Sequence, residues 1–110
     1  GKDLAKNFDV MAASDGNGVS ENTEVTFDPK TKKAVSVVIN DEPLDPDKTY
    51  TVATIDYLAN GGDYMTPLEN GKVIARSPNY LYSDLLHWIR TDMKGKKLKA
   101  DDKKRMHPID

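Results

Sequence analysis

The sequence predicts an α+β fold: a mixed or mainly antiparallel sheet of four to five strands, flanked by two helices. Two patterns support this prediction. Short runs rich in β-branched and aromatic residues alternate with turn residues, which is typical of strands with short connections. In two places, apolar residues recur at helical spacing over more than ten residues. We expect residues 1–110 to form a single domain, with residues 96–110 as a charged C-terminal tail.

The first half of the chain is predicted to form a helix and three strands. Residues 2–13 place Leu4, Phe8 and Met11 on one face of a helix that is too short to be stable alone, so it must pack on a partner. Strands are predicted at residues 23–27, 34–40 and 50–55, which would form an antiparallel meander. Alternation points Val25 and Phe27 inward in the first of these strands. In the second strand, it places residues 35, 37 and 39 on one face.

A short fourth strand at residues 72–76 precedes the clearest helix, predicted at residues 78–94. Ser77 is the expected N-cap, Pro78 takes the first helical position, and Gly95 follows the end. The apolar stripe of this helix is predicted to pack in the core and contains Leu81, Leu85, Trp88, Ile89 and Met93. Residues 98–100 are a candidate strand within the charged tail.

Composition excludes several functions. A formal net charge of −2 gives no electrostatic support for binding a nucleic acid polymer. No apolar run approaches the roughly 20 residues that a membrane span needs, so we expect none. The absence of cysteine excludes disulfides and thiolate metal sites. His87 and His107 are isolated in sequence, and no nucleophile triad, zinc motif or phosphate-binding glycine loop is present.

The relative spacing of Asp15, Asn17, Gly18 and Glu24 matches four positions of a calcium-binding loop. The first ligand position would be Ala13, and the following residues alternate like a strand and not like a helix. We therefore interpret this segment as a turn.

The stretch 49–63 carries the strongest functional pattern, because a predicted strand ends there in Asn60-Gly61-Gly62-Asp63. At the first three positions a positive φ costs little, so the backbone can turn back sharply. Tyr57 supplies an aromatic ring at the end of the strand, and Asp63 supplies a carboxylate from the turn. A stacking ring beside a carboxylate that accepts two hydroxyl hydrogens suits a planar base attached to a sugar diol.

A structural role is the alternative for each of these residues. The ring of Tyr57 could cap the core with its hydroxyl in water. The carboxylate of Asp63 could bond its own backbone, which is compatible with ligand binding. Asn60 is better placed to shape the loop than to touch a ligand.

Residues 39–48 (INDEPLDPDK) and 50–63 (YTVATIDYLANGGD) resemble the C-terminal domain of the 5′-nucleotidases. The resemblance runs from about residue 1 to the end of the chain. It implies that Tyr57 stacks on the base, that Asp63 binds the ribose hydroxyls, and that residues 60–62 form the binding loop. Two features depart from the family. The upstream half of the family domain has no counterpart, so we expect a partial domain, and Tyr64-Met65 replaces the usual glycine and aromatic residue.

The resemblance also implies a division of labour. Family members are hydrolases of nucleotide catabolism and are commonly periplasmic or extracellular. Their divalent metal pair lies in a separate N-terminal metallophosphatase domain, here in cis or in trans. This chain would supply no catalytic residue, metal ligand or cofactor, and would bind an adenosine-like or AMP-like nucleoside or nucleotide as a specificity domain.

Two other interpretations stay open. The chain could be a non-catalytic interaction or assembly module that keeps the fold without the ligand. It could also be a truncated piece that folds by pairing with a second copy, a homo-oligomer formed through an open sheet edge.

Overall fold

The computed structural model describes residues 1–93, 96–97 and 103–109. Two compact units divide the chain: a larger one made of residues 1–71 and the end of the chain from Lys104, and a smaller one from Lys72 to Lys103. The helices are α1 (Lys2–Ala13), α2 (Asp56–Ala59) and α3 (Leu81–Thr91), and the strands are β1 (Thr23–Asp28), β2 (Lys33–Ile39), β3 (Glu42–Pro43) and β4 (Met106–Pro108). Two 3₁₀ turns cover Gly62–Tyr64 and Thr66–Asn70.

The four strands form one mixed sheet in the order β3-β2-β1-β4. β1 pairs antiparallel with β2, and β2 pairs antiparallel with β3, while β4 lies parallel to β1. The predicted α+β fold with a mixed sheet of four to five strands is confirmed. Asn40 and Asp41 join β2 to β3 with φ angles of 54° and 65°. Positive φ at both residues of a two-residue loop is the pattern of a type I′ hairpin turn, which matches the twist of the flanking strands.

A β-bulge changes the face of one predicted core residue. Thr26 pairs with Ser36, but Phe27 pairs with Ala34, so Val35 has no partner across the ladder. An extra residue of this kind reverses which side chains face inward. Val37 and Ile39 therefore pack against the core together with Ala34, whereas Val35 is 60% exposed. The prediction that residues 35, 37 and 39 share one face is wrong at Val35.

Two predicted strands are wrong. Residues 50–55 and 72–76 belong to no strand among the described residues. The place beside β2 is taken by β3 and the place beside β1 by β4, so neither segment has a neighbour to complete a ladder. Their apolar side chains, such as Val52 and Ile74, are exposed. The candidate strand at residues 98–100 and the predicted helix stop at Gly95 lie outside the described residues.

The edge beside β1 is formed by the predicted tail. Val25 N–H donates to the carbonyl of Arg105 at 2.7 Å, and Ile109 N–H donates to the carbonyl of Phe27 at 2.9 Å. His107, which looked isolated in the sequence, has its Nε2 3.2 Å from Oε1 of Glu24 on β1. This part of the tail is therefore a strand of the sheet.

The core of the larger unit lies between α1 and one face of the sheet. Its buried members are Phe8, Ala12, Val25, Phe27 and Met106. The predicted apolar face of α1 is confirmed, with Leu4 and Met11 partly buried beside this cluster. A hydrogen bond of 2.8 Å from the N–H of Ala34 to Oδ1 of Asp9 also joins α1 to β2.

In the smaller unit, α3 begins later than predicted. Tyr80 is the N-cap residue, and Ser77 instead forms a preceding turn in which its Oγ accepts from Asn79 N–H at 3.2 Å. The predicted core packing of the apolar stripe is not observed, since Leu81 and Trp88 are 68% and 40% exposed. No helix in the described part of the chain has the length and apolar character to cross a membrane.

The position of Met106 leads to a prediction about stability. Met106→Ala should lower the free energy of unfolding by about 2–4 kcal/mol, because it removes a buried side chain and leaves a cavity. Val35→Ala, on the exposed bulge, should change it by less than about 0.5 kcal/mol. Urea unfolding followed by circular dichroism measures both values. Equal effects of the two substitutions would show that β4 does not belong to the cooperative core.

Candidate functional site

The candidate loop begins with a one-turn helix. Ile55 is extended, with φ −84° and ψ 158°, and α2 starts at the next residue. Oδ1 of Asp56 accepts a hydrogen bond of 2.9 Å from the N–H of Tyr57, which satisfies one donor in the first turn of the helix. Tyr57 therefore projects from a helical turn, and not from the end of a strand as the sequence predicted.

Left-handed backbone is distributed differently from the prediction. Gly61 has a φ of 88°, but Asn60 has a φ of −90° and Gly62 is not among the positive-φ residues. Within this loop, the other two positive φ angles are those of Asp63 (52°) and Tyr64 (64°). In a residue with a side chain this conformation costs about 1–2 kcal/mol. Two such residues in succession persist only where the surrounding structure holds them.

The structure brings Tyr57 and Asp63 together. The hydroxyl of Tyr57 donates to Oδ1 of Asp63 at 3.3 Å. Both side chains are exposed, Tyr57 by 56%. An aromatic ring and a carboxylate thus lie side by side on the surface of one short loop. The carboxylate keeps further lone pairs beyond the one that Tyr57 uses.

Gly62 lets the loop backbone approach the ring of Tyr57. A Cβ atom at this position would lie 2.6 Å from Cε1 and Cζ of the ring and 2.6 Å from the carbonyl oxygen of Tyr57. At Gly61, a Cβ atom would meet the side chain of Glu69 and would also be strained by the positive φ. Both glycines therefore serve loop geometry, and Gly62 in particular supports the ring.

The underside of the loop is apolar. Leu58, Met65 and Leu68 line a cleft of about 400 Å³, whose other walls include α1 and residues 50–54. Met65 is 2% exposed, and burying such a side chain contributes about 1.5–3 kcal/mol. In the sequence, Met65 was noted only because Tyr64-Met65 differs from the family pattern. The apolar spacing of residues 58, 65 and 68 was the available signal for a buried face.

Asn7 of α1 also lines this cleft and is 1% exposed. Its Oδ1 atom is buried without a hydrogen-bond partner among the described residues. A buried amide oxygen without a partner carries a desolvation cost, so the helix face toward the cleft is not purely apolar.

Several acidic residues lie in and around the loop, among them Asp56, Asp63 and Glu69. Among the described residues, no group of three or more His, Cys, Asp or Glu side chains is placed to hold a metal ion. Glu24 of the considered calcium loop lies in β1 beside His107, and Asp15 follows the end of α1 with its N–H bonded to the carbonyl of Ala12. The groups at the surface of the loop include the aromatic ring of Tyr57 and the carboxylate of Asp63.

The close approach at Gly62 leads to a second prediction. Gly62→Ala should displace the ring of Tyr57 and lower the free energy of unfolding by about 1–3 kcal/mol, because the new methyl group overlaps ring atoms. Gly18→Ala is the matched control, since a Cβ there meets nothing within 4 Å. Urea midpoints and the NMR resonances of the Tyr57 ring measure both effects. An unmoved ring in Gly62→Ala would contradict the role assigned to this glycine.

Comparison with known proteins identifies the family. No curated protein matches the chain in sequence. The family described as 5′-nucleotidase, C-terminal domain, matches residues 1–70, which include α1, the hairpin strands β1–β3, α2 and both 3₁₀ turns. The match covers well over half of the chain and contains every candidate site residue. The chain therefore belongs to the 5′-nucleotidase C-terminal domain family.

Proposed function

We propose that this chain is the nucleoside-binding specificity domain of a metal-dependent 5′-nucleotidase. Tyr57 stacks on the base, and Asp63 accepts hydrogen bonds from the two ribose hydroxyls. Asn60, Gly61 and Gly62 form the loop that presents these two side chains. An adenosine-like nucleoside, or its 5′-phosphate, is the expected ligand.

The observation that carries the proposal is the pairing of Tyr57 with Asp63. The two side chains touch at 3.3 Å and are both open to solvent. In a nucleoside, one glycosidic bond joins the base to the ribose ring that carries the diol, so their binding groups must be neighbours. Stacking on an aromatic side chain is worth about 1–3 kcal/mol per base, and a carboxylate has lone pairs enough for both hydroxyls.

The chemical step belongs to another part of the enzyme. We assign the divalent metal pair to a metallophosphatase domain, in cis or in trans, which supplies the charge that phosphate ester hydrolysis requires. The role of this chain is to hold the nucleoside so that the phosphate lies at that separate centre, a contribution through proximity and orientation. A periplasmic or extracellular location fits the family and belongs to the same proposal.

A titration with adenosine tests the binding site. Tyr57→Ala should raise the Kd by about tenfold or more, because it removes the stacking surface, while Tyr57→Phe should stay within a few-fold of the unmodified chain. Asp63→Asn should weaken adenosine binding and remove the preference for adenosine over 2′,3′-dideoxyadenosine. Amide chemical shifts in NMR spectra give the affinities and locate the contacts.

Tyr82→Ala is the control for nonspecific stacking, since Tyr82 is an exposed aromatic residue of α3 in the smaller unit. It should leave the Kd unchanged. The proposed site would be contradicted if Tyr82→Ala abolished the amide chemical-shift changes that adenosine causes. It would also be contradicted if Asp63→Asn bound adenosine as tightly as the unmodified chain.

A separate experiment tests the division of labour. Residues 1–110 alone should release no phosphate from AMP, with or without added Mn²⁺, because the described residues hold no cluster of metal ligands. Phosphate release is measured on rigorously purified protein. Turnover that persists through purification and disappears in Tyr57→Ala would place catalysis within this chain.

One observation favours a second candidate, a non-catalytic interaction or assembly module. The apolar stripe of α3 is exposed among the described residues, and exposed apolar patches of this kind often mark protein interfaces. The edge strands give less support to pairing through the sheet, since β3 and β4 are two and three residues long and each contains a proline. Adenosine-insensitive spectra and a mass in solution above 12.2 kDa would favour the module and a homo-oligomer.

A further inference from the structure

We propose that Met65 is a positioning residue, which holds Asp63 against Tyr57 by anchoring the loop from below. This inference deepens the proposed function and rests on it for its consequence in ligand binding. The anchoring itself concerns the ligand-free chain. Met65 is 2% exposed, so we expect it to act on the ligand through the backbone of residues 63–64 and not by touching it.

The first observation is the place of Met65 in the turn. It directly follows Asp63 and Tyr64, the two successive non-glycine residues of this loop with left-handed backbone. Its N–H donates to the carbonyl of Gly62 at 3.0 Å, and its carbonyl accepts from the N–H of Leu68 at 3.0 Å. These two bonds join the first 3₁₀ turn to the second, with Met65 as the shared residue.

The second observation is a sharp change in burial along the chain. Tyr64 is 85% exposed, while Met65 is 2% exposed and Thr66 is exposed again. The side chain of Met65 faces the cleft that Leu4 and Phe8 of α1 also line. A single buried side chain between exposed neighbours fixes the direction in which the backbone must run.

Other contacts of the loop are weaker. Asn70 Nδ2 donates to Oδ1 of Asp3 on α1 at 3.3 Å, but this bond is exposed to water. Exposed polar contacts contribute little to holding a segment in place, because water competes for both groups. Leu58 and Leu68 are partly buried and flank the cleft without adjoining the left-handed residues. Met65 is therefore the apolar contact closest in sequence to Asp63.

The consequence is geometric. The positive φ angle of residue 63 sets where its carboxylate lies relative to Tyr57, and the positive φ angle of residue 64 directs the chain on to Met65. If Met65 no longer holds its place, these residues can return to the ordinary right-handed or extended regions, which are favoured for side-chain-bearing residues. The carboxylate then turns away from the ring, and a nucleoside loses simultaneous contact with both groups.

Ligand-free NMR spectra test the anchoring. Met65→Ala should move the amide resonances of residues 61–64 and the ring resonances of Tyr57 toward values of unstructured peptides, and should speed amide exchange there. Met65→Leu, which keeps apolar volume, should restore them. Met106→Ala is the matched control: the same substitution at another buried site of the larger unit, expected to lower stability without moving the loop resonances. Amides of β1 and β2 report whether each variant is folded.

Adenosine titrations complete the test. Met65→Ala should raise the Kd at least tenfold, and Met65→Leu and folded Met106→Ala should stay within threefold of the unmodified chain. If Met65→Ala unfolds β1 and β2, then Met65→Val takes its place as a smaller truncation. The anchoring role is overturned if the loop resonances do not change in the truncated Met65 variant. It is also overturned if they change equally in Met106→Ala.

The two proposals fail in different ways. If the unmodified chain does not bind adenosine, the proposed function fails. The ligand-free spectra still decide whether Met65 anchors the loop. If the unmodified chain binds adenosine and the truncated variant binds equally well despite a displaced loop, positioning by Met65 is overturned and the proposed function stands.

Discussion

The apolar contact of α1 with its surroundings organises the larger unit. Phe8 and Ala12 belong to one apolar cluster with side chains of β1, β2 and β4, in which each large buried side chain contributes about 1.5–3 kcal/mol. Leu4 and Phe8 also line the cleft that is lined by Met65 of the candidate loop. The core and the loop therefore share one support, and a helix too short to be stable alone is stabilised by packing toward both.

Sequence periodicity predicts an element well when the element packs against a neighbour that the sequence also reveals. Val25 and Phe27 alternate inward as expected, because β1 lies between two strands and beneath α1. Residues 50–55 have equally strong β-forming composition, yet they find no neighbouring strand among the described residues. β-propensity measures how well a residue fits a half-buried, pleated surface, so it says little where that surface is missing. The bulge at Val35 was equally beyond prediction, since nothing in its composition differs from that of a regular strand.

The candidate site was predictable in its residues more than in its geometry. The spacing of Tyr57 and Asp63, with two glycines between them, indicated that ring and carboxylate would share a loop, and they lie 3.3 Å apart. The distribution of left-handed backbone was not predictable from glycine positions, because it includes Asp63 and Tyr64 and leaves out Gly62. The free-energy cost of positive φ at Asp63 and Tyr64 is of the same order as the free energy gained by burying Met65. Burial of Met65 is therefore large enough to offset that cost.

Because β4 pairs with β1, the end of the family match and the end of the sheet fall at different places in the sequence. The family match ends at residue 70, but the sheet is completed by Met106 and its neighbours near the other end of the sequence. A fragment cut at the family boundary would keep the candidate loop and lose a core side chain, leaving the main-chain groups of β1 open along one edge. Closing the long chain segment between β1 and β4 also carries an entropic cost that the local hairpin β1–β2–β3 avoids. The stretch that the family match covers and the stretch that builds the sheet are therefore different parts of this sequence.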